Sequence, residues 1–334
     1  MTQHDVTHDV SLRQALLRHR PLLVLFTFAV LQAAMSVVGL AVDDRVVTGA
    51  PVWLKPFKFG VSVAIYAVSL AWLLARQTRH RRLGWWMGTA VSVFIVVEFV
   101  LLLTQVFRGR ASHFNVATAF DSALFQIMGA SIGVVWLCTA VIAALVWRQR
   151  LGDRADTAAA RLGLVIALIG LGLAFLMVGP TPGQRAGFAR GVHDAIGAHT
   201  VGAADGGPGM PVTGWSTTSG DLRIPHFFGI HALQALPLLA VLLRALARRG
   251  GRFAPLRREE VRLRLVVTSA AGYAGAVALV TWQALRGQSL VHPDGWTLGV
   301  AALLLAGTAA AAAAALRTRV VVPATLPAAM IEVS

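Results

Sequence analysis

Residues 85–115 read "WWMGTAVSVFIVVEFVLLLTQVFRGRASHFN". The first part, 85–107, is an apolar run with one ionisable group, Glu98. About 20 such residues cover the roughly 30 Å of a bilayer's hydrocarbon as a helix. Comparable runs lie at 21–42, 57–76, 117–147, 160–180, 226–247, 263–284 and 295–316. The chain of 334 residues is 56% hydrophobic and 13% charged, with mean hydropathy +0.67, whereas soluble domains carry about 25% charged residues. The reading is an all-α, polytopic membrane bundle of eight transmembrane helices.

A net charge of +15 raises the question of nucleic acid, which requires cations gathered on one soluble face. Here they alternate with the spans, clustering at 13–20, 76–82, 148–161, 244–264 and 317–319. That is the positive-inside pattern. It excludes a nucleic-acid partner and places both termini in the cytoplasm of a bacterial inner-membrane protein. Cys138 is the lone cysteine and lies in a span, so no cysteine metal cluster or disulfide framework exists. The tail with His4 and His8 reads as solvated chain.

The stretch after the run, "QVFRGRASHFN" (105–115), has a counterpart in "QALRGQSLVHPD" (283–294). Each is Gln-x-x-Arg-Gly followed by a histidine, and Thr118 and Thr297 open the next helix. "PFKFGVS" (56–62) likewise matches "PHFFGIH" (225–231). Four spans return the chain to its starting side, so these matches imply two parallel four-helix repeats about a pseudo-twofold along the membrane normal. The organisation is then a cytoplasmic tail 1–20, repeats 21–150 and 151–316, an extracytoplasmic loop 181–224 in the second repeat, and a cytoplasmic tail 317–334.

The repeated corners face outward, where Lys55, Lys58, Arg108, Arg110, Arg223 and Arg286 break the positive-inside pattern. Helix N-termini favour negative charge, so these cations predict a site for an anionic small molecule or lipid head group. Gln105, Asn115, Gln234, Gln283 and Asp294 add polar lining. Glu98 lies about 13 Å below the outer end of its span, on one face with Gln105, and Asp121 begins the fourth span. Ionisable groups at such depth face the bundle interior, which makes Glu98 and Asp121 catalytic or proton-carrying candidates. His113, His226, His231 and His292 all stand at outer helix ends, the imidazole supply that a haem or divalent metal needs. His226 and His231 diverge by about 140° on a regular helix and reach one centre only if it is distorted. Residues 184–197 predict a short surface helix, the rest of the loop a Gly-rich lid, with His193 and His199 ranked behind the helix-end histidines.

The stretches "WLKPFKFG", "RGRASHFN" and "HFFGIHALQ" resemble a group of bacterial multi-pass membrane proteins. The four-plus-four layout with outward histidines also resembles the haem A synthases, which implies paired histidines on the second and fourth helices of each repeat. Here only the second half supplies them, as His231 or His226 with His292; the first has His113 but Lys55 and Lys58 in its second span, and the paired-cysteine outer loop of many such enzymes is missing. The leading expectation is a haem- or metal-binding protein, with oxidoreductase as reaction class. A transporter or lipid and anion binder comes second, although polar residues thin out toward the cytoplasmic half of the spans. A metal-dependent membrane hydrolase, resting on Ser112 beside His113, comes third.

Overall fold

The computed structural model describes residues 10–317; His4, His8 and the segment 318–334 lie outside them. After a short helix α1 (Leu12–Arg18), the first half holds α2 (Arg20–Val42), α3 (Leu54–Ala75), α4 (Arg81–Arg108) and α5 (Ala119–Trp147). The second holds α6 (Arg154–Gly172), a loop carrying α7 (Pro182–Phe188), then α8 (Arg223–Ile230), α9 (Ala232–Arg249), α10 (Glu259–Leu285) and α11 (Gly295–Arg317). Eight helices, counting α8 with α9, are long and apolar enough to cross a membrane. All eight expected spans are present in this multi-pass bundle.

Local chemistry sets the helix ends. Thr118 caps α5 by accepting from the Asp121 N–H, Asp153 caps α6 by accepting from Asp156, and Gly109 ends α4 at φ 64°, where a Cβ would be strained. Two features depart from the expected elements. The surface helix expected at 184–197 stops at Phe188, because the Val192 N–H turns back to the Gly187 carbonyl around Gly191 at φ +81°. The sixth span is broken at His231 into α8 and α9. Pro237 lacks the N–H that would bond the Leu233 carbonyl and crowds it, which distorts the preceding turn.

The two halves pack alike. In the first, α2 contacts α3 and α4, α3 contacts α4, and α4 contacts α5; in the second, α6 contacts α8, α9 and α10, α10 contacts α8 and α9, and α11 lies on α10. At Gly60 of α3 a Cβ would meet the Ala29 carbonyl oxygen at 2.9 Å and the Ala33 nitrogen at 3.0 Å. At Gly229 of α8 it would meet Gly170 Cα at 2.6 Å, with the Ile166 carbonyl oxygen also in contact. Each glycine therefore seats against residues i and i+4 of the preceding spanning helix. Each of these second spans also follows a small antiparallel ribbon: β1 (Val46–Val47) with β2 (Ala50–Pro51), and β3 (Thr200–Val201) with β4 (Gly220–Asp221). Residues 202–219 of the long loop form the second ribbon's expanded turn.

The halves meet where α5 packs on α6 and α3 touches α9. One core cluster centres on α2, α3 and α4 around Phe99, and a second on α6, α9 and α10 around Val266. The arginine-rich ends are held by ion pairs joining α6 to α9 and α10: Arg244 with buried Asp156, and Arg262 with Asp153. The opposite ends, which carry the Gln-x-x-Arg-Gly corners, frame a cavity.

Candidate functional site

The cavity holds roughly 1740 Å³ between the halves, bounded by α3, α4, α5, α6, α8 and the start of α9, and exceeds the usual 300–1,000 Å³ of a ligand pocket. Its deep part is apolar, with Ile95, Met128, Val135, Ala167 and Leu233 around Tyr66 and Thr139. Its mouth is polar. Lys55, Lys58, Arg110, His113, Asn115, Arg223 and His226 line the cavity there and Glu98, His231 and Gln234 line it deeper, so most of the residues expected at the site converge on it.

The loop after α6 roofs this space. The Ala198 N–H donates to the Met177 carbonyl, and the Ile196 and Val116 amides exchange bonds with Phe114 and Asp194 across to the α4–α5 corner. The Lys58 Nζ donates to the Thr213 carbonyl at 2.5 Å and the Arg223 guanidinium to the Gly214 carbonyl at 2.7 Å. At its far edge Gly206 presses on the Thr48–Gly49 turn of the first ribbon, leaving no room for a Cβ at Gly49. A segment expected to be flexible is thus tied to both halves.

Four histidines face the cavity, and each engages an oxygen through Nδ1. His226 meets the Gly170 carbonyl at 2.8 Å, His231 the Gln234 side chain at 3.2 Å, His113 the Ser112 hydroxyl at 3.0 Å, and His199 the Asp205 carboxylate at 2.8 Å. The break at His231 supplies the distortion that lets both His226 and His231 face one cavity. Burial pushes His113 well below the ordinary imidazole range, with Lys55 and His199 adding to the effect. Burial also lowers His199, against the opposing bond to Asp205. Both imidazoles are thereby biased toward the neutral form.

Charges in the mouth are unevenly matched. Arg223 forms a forked pair with Asp221, which is buried and also accepts from the Ser216 N–H. Among the described residues, Lys55, Lys58, Arg110 and Arg185 have no carboxylate within ion-pair distance. Glu98 is 1% exposed, and its Oε1 lacks a hydrogen-bond partner, as does the Ser62 hydroxyl; both residues line the cavity. Buried polar atoms without partners are rare and need a ligand or ordered water to account for them.

The Gln-x-x-Arg part of each repeated corner lies outside the cavity lining and is closed on itself, although the first corner goes on to line it through Arg110, His113 and Asn115. Arg108, expected to bind an anion, donates to Asp121 and Gln105 and stacks on Phe120, while Gln105 donates to Asp121 at 2.8 Å. Asp121, held by these donors and the Thr118 hydroxyl, serves the α5 cap. In the second corner Arg286 pairs with Asp294, which accepts from the Thr297 N–H, and Gln283 donates to the Ser289 carbonyl. Cap threonine and carboxylate have exchanged places between the corners. His292 is exposed on the Thr217 carbonyl; the corner is pinned to the roof by the Ser289 hydroxyl on the Ser216 carbonyl, so the expected pairing of His292 with His231 does not form.

The chain matches no known family model, no curated protein and no solved structure. Among the described residues no group of three or more His, Cys, Asp or Glu is arranged to hold a metal ion. Sequence reading missed Asp205 and Tyr66 and undervalued His199. The signal available for Asp205 was its place six residues after His199 in a Gly-rich loop, the reach of a local side-chain to backbone turn.

Proposed function

We propose that the cavity binds an amphiphile with an anionic head group and an apolar chain, in a bacterial inner-membrane protein whose arginine-rich ends face the cytoplasm and whose roofed mouth faces outward. The observation that carries this reading is the gradient within one cavity: four cations without carboxylate partners at the mouth and an apolar floor toward mid-membrane. Lys55 and Lys58 lie in the spanning helix α3 and are partly buried, where a charge is costly unless a partner of opposite sign arrives; an anionic head group is that partner, with the exposed Arg110 and Arg185 at its edge. Glu98 and the Ser62 hydroxyl then meet hydroxyl or amino groups of the ligand. The recurring helix contacts, the matched Gly60 and Gly229 seats and the paired ribbons support an internal duplication about an axis along the membrane normal, with the ligand between the copies.

Binding of dihexanoyl phosphatidylglycerol to the detergent-purified protein, followed by calorimetry, tests the reading. Lys55→Gln is expected to weaken it at least tenfold; unchanged affinity would refute an anion site at Lys55.

A histidine-held cofactor is the second reading, favoured by one feature. With Nδ1 of His226 on a backbone carbonyl, its Nε2 is oriented and left for a ligand, the arrangement that supports ligating imidazoles. The span layout resembling haem A synthases points the same way. An absorption spectrum with metal analysis decides it: a Soret band or stoichiometric metal lost in His226→Ala would favour this reading, and neither signal in the wild type would remove it.

A further inference from the structure

Part of the cavity's lining, between α5 and the end of α6, is exposed. Gly129 and Ile132 of α5, with Leu171, Phe175 and Leu176 from α6 and the 3-10 turn Leu173–Met177 that follows it, line the cavity. Phe175 and Leu176 are each 50% exposed, and Gly129 is exposed too. Residues that border both a cavity and the surface mark an opening. A Cβ at Gly129 would have nothing within 4 Å, so no side chain fills the space beside this turn of α5. Below it the helices close: the Trp136 indole donates to the Leu168 carbonyl at 3.0 Å and lies 3.7 Å from where a Gly172 Cβ would be.

We propose that this opening is a lateral gate through which one chain of an outer-leaflet anionic phospholipid passes, its head group held at the cationic mouth and its tail running out between α5 and α6. The proposal rests on the anionic-amphiphile reading and adds the ligand's source and route. Gly129 lies ten residues into α5, about 15 Å below the helix start, which is hydrocarbon depth. At that depth a water-filled gap would leave polar solvent against lipid tails, whereas an acyl chain bridges cavity and bilayer without exposing a polar group. A soluble anion needs no such gap.

The test uses the full-length protein with two probes, dioleoyl phosphatidylglycerol and glycerol phosphate. Gly129→Trp and Leu176→Trp, on opposite edges, fill the gap. Each is expected to lower lipid binding at least tenfold while leaving glycerol phosphate within twofold; Lys55→Gln lowers both. Loss of both probes in the tryptophan variants, or of neither, overturns the gate. Unchanged binding of both in Lys55→Gln overturns the head-group site instead. A benzophenone amino acid at Phe175 covers the case in which the tryptophan variants misfold. It is expected to form an adduct on the acyl chain that disappears with Lys55→Gln, and an adduct indifferent to Lys55 sinks the proposal.

Discussion

Asp205 gathers the His199 and Thr200 amides, the Thr200 hydroxyl and the His199 ring onto one carboxylate. Burial pulls its pKa upward, but these donors outweigh it and hold the group well below the usual carboxylate range. In Asp205→Asn an amide N–H would confront these donors. The roof is expected to open more readily by about 1–3 kcal/mol, read as faster hydrogen exchange at His199 and Thr200. The pH dependence has a definite sign. His113 and His199 have folded values below the unfolded value of about 6.5, so their neutral forms favour the closed roof above that pH, and stability falls as pH drops through the folded values. Asp205, depressed in the folded state, contributes fully above about 4 and loses its contribution at lower pH. Exchange protection across 199–222 should therefore be greatest at pH 7–8 and decline from about pH 6 downward; protection that rises on acidification would contradict the neutral imidazoles. His226 and His231 were legible as candidates because they flank a helix end, but Asp205 was not, since a carboxylate in a Gly-rich loop gains meaning only from the donors that the folded loop turns toward it.

Helix seats depend on side chains that are missing. Gly229 meets Gly170 so closely that a methyl group at either position has nowhere to go. Gly229→Ala should cost about 1–3 kcal/mol through overpacking, measured as a lower midpoint of unfolding in mixed micelles. Gly133→Ala, with open space around it, should cost nothing. Equal midpoints for both variants would mean that α6 and α8 are not seated backbone to backbone. The spans themselves were readable from hydropathy, as was the matched Pro-x-x-Phe-Gly pattern that marks Gly60 and Gly229. The break at His231 was not, because Pro237 sits inside an apolar run of adequate length and its effect appears one to two turns earlier in the helix.

At the scale of the molecule, orientation and site follow from opposite rules. The arginine clusters predict which end stays inside; membrane-impermeant maleimide, applied to intact cells carrying Cys138→Ala, should label a cysteine placed at Thr218 in the roof and spare one placed at Arg248. Labelling of Arg248→Cys alone would invert the topology. By itself the sequence determined an eight-span bundle, its internal matches and a group of cations and histidines at one set of helix ends, because length, hydropathy and charge act locally and additively along the chain. Which of those groups form a site was decided only by the tertiary structure. Arg108 and Arg286 satisfy carboxylates in their own corners, while Lys55, Glu98, His199 and His226 converge on one cavity. Pairing between charges depends on which helices meet and at what depth, and that distance information is absent from the order of residues.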